Sequence, residues 1–215
     1  MSAKDCAHHH RERRKLYHRL FLALLCSIIL ILFIVFLIWL ILRPTKPRFI
    51  LQDATVYNFN VTGAAATGLN LLTTTIQVTL ASRNPNERIG IYYDRLDVYA
   101  TYRGQQITLP TLLPASYQGH KDVTIWSPFL NGNTVPVAPY LGLEISQDQN
   151  AGRVLINIRV DGRIRWKVGT FISGRYRLDA NCPAYLSFGE NYSPNSILVG
   201  STAKYQLVQN CHVDV

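Results

Sequence analysis

The sequence predicts a mainly β protein, an antiparallel β-sandwich preceded by one transmembrane α-helix. Three observations lead to this prediction. An uncharged apolar run occupies residues 20–42, short stretches of alternating apolar and polar residues follow it, and turn-forming residues separate those stretches. Alternation with a period of two is typical of strands that bury one face. Many short strands with few helical stretches favour a sandwich.

The apolar run is 23 residues long and would extend roughly 35 Å as a helix, enough to cross a hydrocarbon core of about 30 Å. A secretory signal peptide has a shorter apolar core, roughly 7–15 residues, followed by small residues at its cleavage site. Here the run ends in bulky residues, from Ile38 to Leu42, and Trp39 and Arg43 suit a membrane interface. We therefore predict a retained signal-anchor helix rather than a cleaved signal peptide or the buried helix of a soluble domain.

The charges that flank the run predict its orientation. Residues 1–19 form a basic tail with six Lys or Arg side chains, and residues 43–48, an extended stalk, carry three. Because Lys and Arg concentrate on the cytosolic side of a membrane, the tail is predicted in the cytosol and a sandwich domain, residues 49–215, outside it.

The net charge of +9 divides between the two sides. Residues 1–19 carry +4, from six basic and two acidic side chains, and residues 43–215 carry +5, from sixteen basic and eleven acidic side chains. The basic tail would be attracted to anionic lipids of the inner leaflet. With the larger part translocated, we expect no nucleic-acid partner.

The alternation after the stalk predicts individual strands. Two such strands have the apolar faces Ile76-Val78-Leu80 and Leu96-Val98-Ala100-Tyr102. Turns are predicted at Asn84-Pro85-Asn86, Arg103-Gly104, Asn131-Gly132-Asn133 and Ala151-Gly152. The pattern gives about seven strands, and residues 135–149 are ambiguous and suit a short helix.

Residues 154–168, "VLINIRVDGRIRWKV", allow two interpretations. Asp161-Gly162 resembles a two-residue hairpin turn, but that turn would place Arg163, Arg165 and Lys167 on the core side. If the strand continues, all the apolar residues share one face and the charged residues share the other. We predict one long strand that is bent or bulged at Gly162.

Two cysteines and two glycosylation sequons lie beyond the apolar run. Cys6 and Cys26 precede or lie within the run, which leaves Cys182 and Cys211 in the larger part. In an oxidising compartment they would form a disulfide, and the alternative is two buried free thiols. The N-x-S/T sequons are at Asn60 and Asn191, both on the predicted outer side.

The residues predict no catalytic site, no metal site and no cofactor. The larger part holds only two histidines, His120 and His212, and no nucleophile or phosphate-binding motif is present. Asp94 and Asp97 are three apart, so on a regular strand they would point to opposite faces and could not act as a pair. The aromatic residues Tyr92, Tyr93, Trp126 and Trp166 are interpreted as core or cross-strand packing.

Four sequence segments resemble the plant harpin-induced-like membrane proteins, often named with the non-race-specific disease resistance protein, which carry a late-embryogenesis-abundant type 2 domain. The segments are "LRPTKPRFILQDATVYNFN", "NPNERIGIYYDRLDVYATYRGQQITLP", "YQGHKDVTIWSPFL" and "DGRIRWKVGTFISGRYRLDANC". The residues that carry the family motif are Asn84, Pro85, Asn86, Ile89, Gly90, Tyr92, Tyr93, Asp94, Arg165, Trp166, Lys167 and Gly169.

This resemblance implies a single-pass plasma-membrane protein with a seven-stranded, fibronectin- or immunoglobulin-like sandwich outside the cell. It also implies a role in plant defence and hypersensitive cell death, with plasmodesmata as a further location. The expected partners are the lipid bilayer, a membrane or defence protein, and a second copy of the chain.

A second hypothesis comes from the residues alone. The polar face of the long strand carries a basic stripe, Arg159, Arg163, Arg165 and Lys167, which is either an ordinary solvated face or a binding surface for an acidic cell-wall polysaccharide. A third hypothesis, stabilisation during desiccation, fits less well because that role is typical of disordered chains.

Overall fold

The computed structural model describes residues 3–41, 44–64, 69–187, 203–205 and 209–215. It divides into two compact units, Met1–Arg43 and Pro44–Val215.

The first unit is one helix, α1, which runs from Ala3 to Ile41. Within it, the span Tyr17–Leu37 has a mean hydropathy of 3.4, and none of that span is buried against protein. Its leucine and isoleucine side chains face outward on all sides, which is unusual for a helix in water and typical of one that crosses a membrane. The expectation of one apolar helix near the N-terminus is confirmed.

The second unit consists mainly of strands. In chain order these are β1 (Arg48–Ala64), β2 (Leu69–Arg83), β3 (Ile89–Tyr102), β4 (Gln105–Gln106), β5 (Thr111–Leu113), β6 (Ser116–Gln118), β7 (Val123–Trp126), β8 (Phe129–Val137), β9 (Arg153–Val168), β10 (Phe171–Ile172), β11 (Tyr176–Ser187), β12 (Ala203–Tyr205), β13 (Gln209–Asn210) and β14 (His212–Asp214). One helix, α2 (Pro139–Asn150), lies between β8 and β9.

The strands form two antiparallel sheets. Sheet A has the order β12-β1-β2-β7, with β13 also paired to β1 and β8 also paired to β2. Sheet B has the order β14-β11-β9-β3-β4, with β10 on β9, and β5 and β6 on β3. The predicted antiparallel sandwich is confirmed. One edge of each sheet is made of separate short strands, β7 and β8 in sheet A and β4, β5 and β6 in sheet B. Pro110, Pro114 and Pro128 lie at the breaks between these strands, because proline cannot donate to a ladder.

The core lies between the two sheets. Sheet A contributes the predicted face of Ile76, Val78 and Leu80, all fully buried, and sheet B contributes Val98 and Ala100. Phe49 from β1 meets the ring of Tyr93 edge-on at 6.3 Å and stacks on that of Trp126 at 6.4 Å. Both alternating patterns read from the sequence are therefore confirmed.

The strand β9 is continuous from Arg153 to Val168, as predicted, and its buried side chains share one face. The irregularity lies elsewhere than expected. It is in the neighbouring strand β3, where the pairing to β9 shifts between Tyr93 and Arg95 and leaves Asp94 as the extra residue. Gly162 lies close against this bulged strand. A Cβ at this position would collide with the carbonyl oxygen of Arg95, so the close approach requires glycine.

The helix α2 occupies part of the segment that was ambiguous in the sequence. Pro139 is at its first turn, where a missing N–H costs nothing. Leu141 and Ile145 point into the core. On sheet B, Tyr102 donates a hydrogen bond to Asp148 at 2.7 Å and Arg103 pairs with Glu144 at 2.8 Å, so the end of β3 holds the helix in place.

Candidate functional site

The outer face of sheet B carries a row of three arginines across three adjacent strands. Arg163 in β9 pairs directly with Arg95 in β3 on one side and with Arg177 in β11 on the other. We call these three residues the arginine row. Neighbouring strands are about 4.8 Å apart. The backbone of Arg163 is therefore separated from the backbone of each of the other two arginines by only one strand spacing.

A row of aspartates runs beside the arginine row. Asp161 pairs directly with Asp97 and with Asp179, and Asp179 pairs with Asp214 of β14. We call these four residues the aspartate row. Like charges placed directly opposite each other destabilise a sheet, so each row would be unfavourable alone.

Ion pairs connect the two rows, one within β3 and one between β11 and β9. Arg95 binds Asp97 at 2.8 Å. Arg177 binds Asp161 at 3.1 Å. Asp214 is paired at the sheet edge with Lys46 at 2.9 Å, a hydrogen bond that lowers the pKa of Asp214. The hydrogen bond that Arg95 donates to Asp97 likewise raises the pKa of Arg95.

Arg163, at the centre of the arginine row, is the exception. Its side chain makes no hydrogen bond or ion pair with any residue that the structure describes, although cations lie on both sides of it. It opens into a cleft of about 680 Å³. The cleft is lined by Arg95, Asp97, Asp161, Gly162, Arg163, Arg175, Tyr176 and Arg177.

The basic stripe predicted along β9 does not act as a set of four free cations. Arg159 pairs with Asp179 at 3.2 Å. Arg165 donates hydrogen bonds to both carboxylate oxygens of Asp94, with distances of 2.6–3.0 Å. This contact raises the pKa of Arg165. Lys167 lies over the rings of Tyr92 and Tyr117, at 5.7 and 5.0 Å. Only Arg163 of the predicted stripe reaches the cleft.

The expectation that Asp94 and Asp97 point to opposite faces is wrong. The bulge at Asp94 shifts by one residue which side chains of β3 point outward. Asp94 contacts Arg165 on the outer face of the sheet, the same face on which Asp97 contacts Arg95. Asp94 and Asp97 therefore lie on the same face. Each carboxylate is bound by a different arginine, so the two do not form a reactive pair.

The asparagine motif forms a buried clasp. Asn84 is fully buried, and its amide nitrogen donates to the carbonyls of Ile89 at 2.7 Å and Gly119 at 2.8 Å. Its amide oxygen accepts from the backbone and the side chain of Asn86, at 3.0 and 2.9 Å. Asn86 in turn exchanges two hydrogen bonds of 2.8 Å with the backbone of Thr45.

The clasp determines how the chain enters the sandwich. Thr45 lies within residues 43–48, which were predicted to be a stalk, and Pro47 after it is buried. Lys46 between them reaches Asp214 near the C-terminus. The chain is thus bound to the folded unit from Thr45 onward, before the first strand begins at Arg48.

Other motif residues pack in sheet B, where the start of β3 lies beside the end of β9. Ile89 and Trp166 are buried, as is Tyr93, whose hydroxyl binds Ser82 at 2.7 Å and Gln118 at 2.8 Å. Burial raises the pKa of Tyr93 well above its usual range. Gly90 lies against the ring of Tyr117, so that even a Cβ would collide with it. Gly169 has a φ of 58°, a conformation that favours glycine. Pro85 separates the two asparagines of the clasp.

The two cysteines of the folded unit, Cys182 and Cys211, are joined by a disulfide. Asn60 is exposed on β1, so its side chain is accessible, whereas the second sequon at Asn191 lies outside the described residues. Within those residues, no group of three or more His, Cys, Asp or Glu side chains is arranged to hold a metal ion. His120 is exposed, and His212 lies 3.3 Å from Asp214.

Sequence reasoning missed the arginine row because its members come from three strands. Arg95 is 68 positions before Arg163, and only the pairing of β3, β9 and β11 brings them together. The signal present in the sequence was the excess of arginine on the polar faces of those strands, which is also what a solvated face contains.

A family model described as late embryogenesis abundant protein (LEA_2) matches residues 79–182. The chain is 58% identical to NDR1/HIN1-like protein 1 of Arabidopsis thaliana, over 99% of this chain and 100% of that protein. It is 50% identical to NDR1/HIN1-like protein 12 of the same plant, over 100% of both, and 46% identical to NDR1/HIN1-like protein 26, over 75% of this chain and 74% of that protein. From the identity and the full-length coverage it follows that the chain belongs to the NDR1/HIN1-like family of proteins with a LEA_2 domain.

Proposed function

We propose that this chain is a non-enzymatic, single-pass plasma-membrane protein of the plant defence response, with its β-sandwich outside the cell. The observation that carries the proposal is the apolar span Tyr17–Leu37, none of which is buried against protein. A helix with this surface is stable only in an apolar solvent, and its length matches a bilayer.

Two further features support the outward orientation of the sandwich. Six basic residues precede the span in residues 1–19 and three follow it in residues 43–48, a bias that favours a cytosolic N-terminus. The disulfide between Cys182 and Cys211 belongs to an oxidising compartment. Plasmodesmata, where the plasma membranes of neighbouring cells are continuous, are a further proposed location.

The defence role rests on the family and is tested genetically. In plants that lack the protein, we expect altered pathogen growth and an altered hypersensitive cell death. The full chain should restore both, and a secreted form in which a cleavable signal peptide replaces residues 1–43 should not, because it is not held at the membrane. Normal pathogen growth and cell death in the plants that lack the protein would contradict the role.

A second candidate function is the binding of an acidic cell-wall polysaccharide by the same outer domain. The observation that favours it is the arginine row with an unpaired Arg163 at its centre. Titration of the full chain with polygalacturonate over a range of NaCl concentrations tests it. Binding should weaken steeply as salt rises, and a chain that binds no polygalacturonate even at low salt would exclude this function.

A further inference from the structure

We propose that the cleft over the arginine row is a binding site for the carboxylates of a polyuronate, with Arg163 as the residue that holds the carboxylate. This inference rests on the second candidate function, and it identifies the site and the chemistry of recognition. The cleft replaces the linear stripe along β9 as the binding surface.

The positive charge of the arginine row is not balanced at its centre. Arg163 has Arg95 and Arg177 directly opposite on both neighbouring strands, an arrangement that is unfavourable for the sheet. The two outer arginines are compensated by Asp97 and Asp161. The central cation therefore has no ion-pair partner within the described part of the chain, since the nearby aspartates are held by the outer arginines, and an anion in the cleft would supply one.

The cleft contains a further cation, Arg175. Arg175 reaches Asp94 at 3.5 Å, and its side chain is 67% exposed. The same carboxylate is already bound through both oxygens by Arg165. Arg175 is thus the weaker of the two partners and is available to a ligand. With four arginines and two aspartates in its lining, the cleft carries a net charge of +2.

The side chains that line the cleft favour one chemical class of anion. Arg163 presents a planar fork that binds a carboxylate through two parallel hydrogen bonds. Asp97 and Asp161, which border the same cleft, accept hydrogen bonds only. They would repel a densely charged phosphate chain, but they suit the hydroxyl groups of a sugar.

The sugar of a uronate offers that combination, one carboxylate together with several hydroxyl donors on each ring. Tyr176 adds an aromatic wall to the cleft, with an apolar ring and a polar hydroxyl. The adjacent rows of guanidinium and carboxylate groups in the cleft are therefore complementary to a chain of uronate rings. They are less complementary to a polyphosphate or a nucleic acid.

The test uses the full chain in nanodiscs of neutral phosphatidylcholine, with polygalacturonate as the probe. We expect Arg163→Ala to raise the Kd about tenfold, the loss typical of one charge-assisted contact. The matched control is Arg88→Ala, which removes the same charge from an exposed position outside the cleft and should change the Kd less than about twofold. The basic residues of α1 are the same in every variant, so the difference between the two variants isolates the cleft.

Two further measurements make the outcome specific. Arg163→Lys keeps the charge but loses the fork, so it should retain only part of the affinity. Without ligand, Arg163→Ala should unfold at the same temperature as the wild type or higher, because it removes a repelled cation. A lower unfolding temperature would contradict the repulsion of Arg163 by its neighbours in the arginine row.

The remaining outcomes separate this inference from the function on which it rests. Equal weakening by Arg163→Ala and Arg88→Ala would overturn the site and leave polysaccharide binding in place. Absence of polygalacturonate binding by the wild type would overturn both. Methyl-esterified polygalacturonate should not bind. If polyphosphate bound as tightly as polygalacturonate and with the same dependence on Arg163, the assignment of a uronate would be wrong.

Discussion

Asn84 uses all four of its amide hydrogen-bonding positions while fully buried. Its two N–H groups donate to the carbonyls of Ile89, at the start of β3, and of Gly119, in the loop before β7, and its oxygen accepts from Asn86. No other side chain of this size offers two donors and two acceptors in one plane. The residue therefore joins the start of β3, the loop before β7 and the entering chain at Thr45.

We predict that Asn84→Ala lowers the free energy of unfolding by about 3 kcal/mol, because it leaves buried carbonyl groups without donors. Thermal unfolding of the detergent-solubilised chain, followed by tryptophan fluorescence, measures the change. Asn150→Ala, which removes an exposed asparagine at the end of α2, is the control and should change the stability little. Equal stability of the two variants would contradict the role of the clasp.

The buried hydroxyl of Tyr93 gives the folded unit a predicted dependence on alkaline pH. Burial raises the pKa of this tyrosine above its ordinary value of 10.0, so in the folded state it stays neutral where the unfolded chain ionises. The stability that this group contributes is complete below pH 10 and falls as the pH rises above it.

The variant Tyr93→Phe removes that titration. It should be less stable than the wild type at pH 7, since Gln118 and Ser82 lose their partner, and the difference should shrink above pH 10. Unfolding measured from pH 7 to pH 11 in both proteins checks this. A constant difference across that range would show that Tyr93 does not titrate as proposed.

At the scale of the element, the contact between β3 and β9 depends on one glycine. A Cβ on Gly162 would collide with the carbonyl oxygen of Arg95 and lie 2.7 Å from Cδ2 of Leu96. The obstacle is backbone, which cannot move aside as the end of a flexible side chain can.

We therefore predict that Gly162→Ala lowers the free energy of unfolding by about 2 kcal/mol through overpacking. The control is Gly174→Ala, where no atom lies within 4 Å of an added Cβ, and which should be neutral. Chemical unfolding of both variants measures the difference. If both were neutral, the close approach of β3 at this point would be wrong.

The elements also show what a single sequence can predict. Alternation identified the buried faces of β2, β3 and β9, because a half-buried strand must place apolar residues at every second position. The same parity argument correctly favoured one continuous β9 over a hairpin at Asp161-Gly162.

The prediction from alternation was wrong at Asp94, where a bulge changes which side chains of β3 point outward. The extra residue at Asp94 lies in β3, and its position depends on how β3 pairs with β9, about 70 residues later in the chain. The arginine row has the same origin, since it exists only in the register of three strands. Pairing between distant segments leaves no periodic signal in the sequence of either one.

At the scale of the whole molecule, the C-terminal residues connect the two sheets. β13 pairs with β1 of sheet A and β14 pairs with β11 of sheet B, so the chain crosses between the sheets at Cys211. The disulfide to the buried Cys182 holds this crossing in place. Cys211 also donates its backbone N–H to the carbonyl of Phe49 at 2.9 Å.

Replacing both cysteines with alanine should lower the free energy of unfolding by roughly 3–4 kcal/mol, from the closure entropy of a loop of this length. Unfolding of the wild type in the presence of a reductant should show a similar loss, and the reductant should leave the double variant unchanged. If the reductant destabilised both proteins equally, the effect would not come from this disulfide.

The proposed function requires that α1 remains in the membrane and that the folded unit lies on the opposite side of the membrane from the basic tail. Protease protection in sealed microsomes, with an epitope tag after Val215, measures this arrangement directly. We predict that the protease removes only the N-terminal tail, and that the protected, tagged fragment loses mass when a glycosidase removes a glycan from exposed Asn60. A tag that is digested before detergent is added would place the folded unit in the cytosol and contradict the account.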